Sequence, residues 1–363
     1  MAEKTVLSAI NSISDCLFSY LSSVKGAGHA FLSKQCRTKQ LSKQSFNYFR
    51  EFYSRGKIAF IDGGNANLMR SPGFSVDIIR VSAVILTGKT TLSTETYSFF
   101  LFSNIAIKKN AIYLISKLFP VDTNFKKIVE KESFEFSYSE LTGLNPDNFG
   151  IEKDSMRLFS PLVGIIRKIS ELSLAASTIK KLSDGDMVML DGTLEPKSGA
   201  DYASFANLFR LAGQNNILIT AISKTTSMLT EHGTALTAAL SGIADRGKKW
   251  YCHVAERENG LNADIFIAKL HEQSDYSFRV EIQKTGILDL RKIFGIIASS
   301  SKDISFLGYP YGLIKADTYA RIPNSEKEYL KTMLMAKFNS SQDTIMRQLN
   351  ALNAHSVLDK ISF

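Results

Sequence analysis

At 363 residues, with 44% hydrophobic and 22% charged residues, the chain is long enough for one large α/β domain or two ordinary ones around a sizeable core. Its three cysteines, Cys16, Cys36 and Cys252, have no CxxC spacing, which excludes a disulfide framework and fits a reducing cytoplasm. No apolar run approaches the roughly 20 residues that span a bilayer, and the net charge of +9 favours a polyanionic partner over a membrane.

Residues 1–50 are expected to form an N-terminal helical extension. Met1 to Ser23 carries apolar residues at helical spacing and lacks the basic start of a signal peptide. Lys34, Arg37, Lys39 and Lys43 follow, and then Phe46, Tyr48, Phe49, Phe52 and Tyr53. That order fits a helix docked by its aromatic face with lysines in water, or a nucleic-acid contact.

Lys57 to Ile61 reads as a short buried strand. Phe74–Thr87 and Thr90–Ser103, joined by Gly88-Lys89, read as a hairpin, which makes three consecutive antiparallel strands. Residues 104–150 read as an irregular insertion, broken at Phe119-Pro120 and Asn145-Pro146. A long amphipathic helix is expected over about 155–182, and Met187 to Leu190 reads as a second buried strand. A helix over 204–212 and strands over 217–222, 250–255, 263–270 and 276–282 follow. A helix over 288–298, a Tyr-Pro-Tyr turn and C-terminal helices over 323–363 complete the chain. No internal repeat or low-complexity tract is visible. A strand meander followed by alternation with helices implies an α/β fold: a mixed sheet with helices on its faces.

Both buried strands end in an aspartate followed by glycine: Ile61-Asp62-Gly63-Gly64 and Leu190-Asp191-Gly192-Thr193. Burial disfavours an ionised carboxylate unless a cation or hydrogen bonds offset it. Two such aspartates point to a shared hard divalent metal, Mn2+ or Mg2+. Two ions about 3.5–4 Å apart, bridged by a carboxylate, can activate water and neutralise a leaving oxygen in phosphodiester hydrolysis. Asp62 is the candidate bridge and Asp191 the second ligand. Glu171, beside the apolar stripe of the long helix, is a third candidate, or else a surface partner of Arg167. Asp317, placed in the first turn of the helix after the Tyr-Pro turn, is a fourth, although the helix dipole explains an acid there equally well. Lys224, after a buried strand, would hold a phosphate. Tyr309 and Tyr311 would stack on bases or pack the turn.

Four segments together resemble the NurA nucleases of archaea and bacteria. They are Ile58 to Gly64, Arg167 to Leu172, Val188 to Leu194, and the pair Ala221 to Thr226 with Gly308 to Asp317. The resemblance spans about residues 57–322 and leaves out the first 50 residues and the 104–150 stretch. It implies an RNase H-like nuclease domain over 51–322 that cuts DNA with manganese or magnesium. It further implies a homodimer, a HerA-type helicase–translocase as partner, double-strand break resection, and a prokaryotic, nucleoid-associated setting. Asp62, Glu171 and Asp191 match the family's metal-binding carboxylates. Asp317 stands where many relatives carry His, and Gly312 replaces the second proline of a Tyr-Pro-Tyr-Pro turn, which is expected to loosen it.

Two other functions fit parts of the pattern. An actin-like ATPase or phosphotransferase also places Asp-Gly turns after two strands, and Ser241-Gly242-Ile243-Ala244 is the weak candidate for its adenosine loop. A non-catalytic DNA-binding subunit would explain the departure at Asp317 and the basic N-terminus. Cys252-His253 with His271 matches no common zinc spacing.

Overall fold

The computed structural model describes residues 2–23, 28–32, 36–109, 111–121, 129, 131–142, 151–258, 260–286, 288–338 and 343–349. In chain order the elements are α1 (Ala2–Ser23), β1 (Gly28–Phe31), β2 (Cys36–Thr38), β3 (Gln40–Leu41), β4 (Phe46–Tyr48), β5 (Lys57–Arg70), β6 (Phe74–Thr87), β7 (Thr90–Lys108), β8 (Ala111–Pro120) and β9 (Ser133–Ser137). Then come α2 (Tyr138–Thr142), α3 (Ile151–Ile179), β10 (Met187–Asp191), α4 (Gly199–Gln214), β11 (Leu218–Ser223), β12 (Leu229–Thr230) and α5 (Leu236–Ile243). The last are β13 (Trp250–Arg257), β14 (Ala263–Lys269), β15 (Phe278–Gln283), α6 (Leu290–Ser299), α7 (Tyr311–Ala320) and α8 (Asn324–Ala336). The chain forms two compact units, Ser54–Ala221 with Pro310–Phe363, and Met1–Tyr53 with Ile222–Tyr309. No helix among the described residues is long and apolar enough to cross a membrane.

The first unit is built on a mixed sheet in the order β11-β10-β5-β6-β7-β8-β9, with β11 up to Ala221. Valine- and isoleucine-rich β6 pairs along its length with β5 and β7. The turn between β6 and β7 has Gly88 at φ +57° in its first central position, where a two-residue hairpin favours glycine. The expected three-strand meander is therefore present. It also continues past its expected end: β8 and β9 extend it antiparallel as far as Ser137. That stretch is no irregular insertion where it is described. Ile112, Leu114, Ser116 and Leu118 alternate inward, the period-2 signal of a half-buried strand. β10 joins β5 in parallel. Helices α3 and α7 pack on β5 and β6, and α4 packs on α3. In α8, Leu334 and Met335 sit against Leu68, Met69 and Ile78.

The register of the parallel β5–β10 pair is fixed at its start. Lys57 N donates to Asp186 Oδ1 at 2.7 Å, and Ser183 N donates to Asp186 Oδ2 at 2.8 Å. One carboxylate thus ties the first residue of β5 to the turn that opens β10.

The second unit holds the antiparallel meander β13-β14-β15, with β2 and β4 both paired to β13. Trp250, Cys252 and Val254 face Leu236 and Leu240 in its core. Tyr251 stacks on Phe294 of α6 with ring centroids 4.2 Å apart. The amphipathic α1 is present, with Val6, Ile10, Ile13 and Leu17 exposed. Beyond it, the described residues up to Tyr48 form β1 to β4, strands of two to four residues, and one 3-10 turn at Lys43–Ser45, where the sequence pattern predicts α-helix. Such segments are shaped by their partners β12 and β13, because a single pairing contributes more than local propensity can.

Candidate metal centre

In the parallel pair, Leu190 lies level with Ile61. Asp191 and Asp62 are the next residues on each strand, so neighbouring strands about 4.8 Å apart carry aspartates side by side on one face. Asp62 does not end its strand, as the sequence pattern predicts. It lies within β5, which runs on to Arg70 and pairs Asp62 with Ser82 of β6.

Phe60, Asp62 and Gly64 alternate onto the same face of β5, and α7 lies on it. The Phe60 ring rests on Gly312, where a Cβ would fall 2.1 Å from Cδ2, and the carbonyl oxygen of Ala320 rests on Gly64, where a Cβ would fall 2.4 Å away. Gly312 is thus a packing contact at the start of α7, where the sequence pattern predicts only a looser turn. With both ends of α7 held to the strand, Asp317 between them meets the two strand aspartates. One carboxylate oxygen from each of Asp62, Asp191 and Asp317 lies within 4.8 Å of the others. Asp62 is 6% exposed, and the other two are half-buried. Gly63 N donates to Asp62 Oδ1 at 2.7 Å.

Asp317 is the seventh residue of the ten-residue α7, near its C-terminal end rather than in its first turn. The helix dipole disfavours a carboxylate there, so the dipole does not account for this acid. Arg321, one turn on, donates to it at 2.5 Å.

Glu171 lies outside this group. It is 3% exposed and meets β5 from the α3 side, where a Cβ on Gly63 would fall 2.5 Å from its Oε1. Its partners are Lys168 at 2.8 Å and Arg167 at 3.4 Å. Glu171 is thus buried against the strand that carries Asp62, and it also pairs with Arg167. The principal cation is Lys168, which donates as well to the carbonyl oxygen of Asp191 at 3.1 Å. The sequence pattern alone gives Lys168 no role. Its i,i+3 spacing to Glu171 is the signal that marks it.

Lys224 and Tyr309 belong to the second unit. Lys224 Nζ stands 5.9 Å from the Tyr309 ring centroid. Tyr309 is 3% exposed, with its ring packed against Phe278 and Phe306. That burial leaves no ring face for a base, so the stacking role expected of Tyr309 is corrected to packing. Ser241, Gly242 and Ile243 lie within α5, which gives the adenosine loop of an ATPase no place there.

A second group, His253, Glu256 and Asp264, also brings three donors within 4.8 Å. Here Glu256 is already held by Lys39 at 2.7 Å and Lys284 at 3.1 Å. The hydrogen bond from Lys39, opposed by burial and helped by Lys284, lowers its carboxyl to about 2. Cys252 is fully buried, and burial pushes its thiol up to about 12. That is the behaviour of a core residue, not of a zinc ligand.

The three-aspartate group fits a hard divalent cation by its donors, all of them carboxylate oxygens. Carboxylates this close repel one another, and a cation offsets that repulsion. Ser82, directly across from Asp62, is fully buried, and its hydroxyl has no hydrogen-bond partner among the described residues. A polar atom orphaned beside the acids is the kind a hydrated ion would serve.

Neither a protein-family model nor a curated protein matches the chain. Among solved structures, the chain is similar to the NurA nuclease from Sulfolobus solfataricus: TM-score 0.53 and 12% identity, over 93% of this chain and 96% of that one. The expected NurA-type mixed α/β fold is thus the fold observed. Human ENDOV is matched at TM-score 0.38 and 10% identity over 77% of this chain and 92% of that one, too distant to add to the argument.

Proposed function

We propose that the chain is a divalent-metal-dependent deoxyribonuclease. The observation that carries this reading is the convergence of Asp62, Asp191 and Asp317 from a strand, a second strand and a helix far apart in sequence. The shared fold with a NurA nuclease and the net charge of +9 support it.

In this reading Asp62, Asp191 and Asp317 hold Mn2+ or Mg2+. When bound, such a cation acidifies water and offsets charge on the leaving oxygen. Asp62, the most buried of the three, fixes the position of the donor set. Asp317, shared with Arg321, is the adjustable donor. Glu171 acts through Lys168, which anchors the Asp191 backbone. The finer expectations belong to the same proposal: two ions, residues 51–322 as the nuclease stretch, a homodimer, and a HerA-type translocase as partner in DNA end resection.

Purified protein with Mn2+ should degrade linear DNA, and Asp62→Ala or Asp191→Ala should abolish that activity. Cutting that persists in both variants contradicts the proposal. Tight ATP binding without DNA cleavage would instead favour the phosphotransferase reading.

A further inference from the structure

Aromatic and basic residues gather around position 50: Tyr48, Arg50, Phe52 and Tyr53. Within the second unit, segment 48–52 and the N-terminal end of α6 border a cleft of about 700 Å3. The segment is held in place by the helix backbone. Phe52 N donates to Gly295 O at 3.0 Å, and a Cβ on Gly295 would fall 2.7 Å from the Arg50 carbonyl oxygen. Only glycine in α6 lets the segment lie this close.

Each exposed or half-buried ring here carries an ammonium. Lys248 Nζ is 4.9 Å from the Tyr48 ring centroid, Lys292 is 5.3 Å from Phe52, and Lys302 is 5.8 Å from Tyr53. Phe52 is 43% exposed and Tyr53 71%, so both side chains reach solvent. The cleft is lined by five cations and three carboxylates. The carboxylates are already engaged. Glu51 binds Lys249 at 2.9 Å and Lys302 at 2.8 Å, and Glu272 binds Lys249 at 3.2 Å. Burial would raise the Glu51 carboxyl, and hydrogen bonds from Lys302, Lys249 and Tyr53 outweigh it and hold it at about 2. Asp289 caps α6 by accepting from Lys292 N at 3.1 Å. Arg50, Arg291 and Lys292 make no carboxylate ion pair among the described residues.

We infer that this cleft, together with Tyr53 next to Phe52 in the chain, binds single-stranded nucleic acid, with bases stacked on Phe52 and Tyr53 and phosphates paired with Arg50, Arg291 and Lys292. Unpaired bases present the flat faces that exposed rings take up, and cations alternating with aromatics suit a sugar–phosphate backbone. A duplex keeps its base faces hidden. The inference deepens the nuclease reading and rests on it for the choice of nucleic acid over other polyanions.

The test is fluorescence anisotropy of a labelled oligothymidylate with the full chain in chelator, so that binding is read without cleavage. Phe52→Ala with Tyr53→Ala should weaken binding at least tenfold, within the range of about 1–3 kcal/mol per stacked base. Arg291→Ala with Lys292→Ala should make the log–log salt dependence shallower by about 1.4, at roughly 0.7 per phosphate. Phe52→Tyr, which keeps the ring, should restore binding. Should the double aromatic variant fail to fold by circular dichroism, Tyr53→Ala alone decides, because that side chain is largely in water. Affinity within twofold of the parent in the folded aromatic and cationic variants would overturn the inference. Equal losses on a duplex of the same length would overturn its single-strand assignment. Loss of cleavage in Asp62→Ala with this binding unchanged would leave the nuclease reading standing whichever way the cleft behaves.

Discussion

Gly312→Ala is expected to destabilise the first unit although alanine is the better helix former. The new Cβ would lie 2.1 Å from Phe60 Cδ2 and 2.2 Å from Cε2. Carbon atoms prefer about 3.5–4.0 Å, so α7 or the ring must move by roughly 1.5 Å. Phe60 is fully buried in β5 and has no room to yield. Overpacking of this kind costs about 1–3 kcal/mol, against about 0.5–1 kcal/mol gained from replacing a helical glycine. The difference spans about 0–2.5 kcal/mol, and the 2.1 Å approach to a buried ring places the net loss in its upper half. Gly164 in α3 is the control: a Cβ there would meet no atom within 4 Å, so Gly164→Ala should stabilise by about 0.5–1 kcal/mol. Urea denaturation followed by circular dichroism reads both, since the single tryptophan, Trp250, reports on the other unit. Because α7 carries Asp317, Mn2+ affinity should fall in Gly312→Ala and stay unchanged in Gly164→Ala. A Gly312→Ala protein as stable as the parent would refute the close docking of α7 on β5.

Lys168→Met should destabilise by about 1–3 kcal/mol, because it strips buried Glu171 of its nearest cation. Adding Glu171→Leu should recover much of that loss, and a double-mutant cycle in urea measures the coupling. Acid should weaken the second unit through Glu256 and Glu51, both held at about 2 in the fold against an ordinary 4.5. A lowered folded value means that the contribution is complete above pH 4.5 and is lost as pH falls towards 2. Glu256→Gln should flatten that decline in a pH series of urea midpoints, and an unaltered decline would count against the Lys39–Glu256–Lys284 network.

Much of the site is legible in the sequence, and the reasons for the misses are physical. A short apolar run ending in Asp-Gly announces an acid at the rim of a core, and Asp62 and Asp191 both stand in such a place. Their adjacency is not legible, because it depends on the parallel register set by Asp186, a residue 129 positions from its partner Lys57. Asp317 stands out as a candidate, but its place in α7 does not: Pro310 caps the helix, so Asp317 comes about a turn later than the pattern predicts. Glu171 has one sequence signature for two fates, metal ligand and ion-pair partner, and only the α3 packing separates them. Tyr309 reads as an exposed stacking residue, because aromatic residues in a turn look alike whether they face water or Phe278. The strands at 28–48 are hidden for a different reason. They are too short to show a period, and the partners of β1, β2 and β4 in β12 and β13 lie some two hundred residues away. By contrast β8 carries its alternation openly, and the Pro and Gly breaks around it mask the signal.

The most direct measurement is calorimetric titration of Mn2+ into the parent chain and into Asp62→Asn, Asp191→Asn and Asp317→Asn, each confirmed folded by circular dichroism. The parent should bind, and every variant should show at least a tenfold weaker affinity, about 1.4 kcal/mol. Unchanged Mn2+ affinity in Asp62→Asn and Asp191→Asn would mean that the three acids do not share an ion, and the proposed chemistry would have no centre.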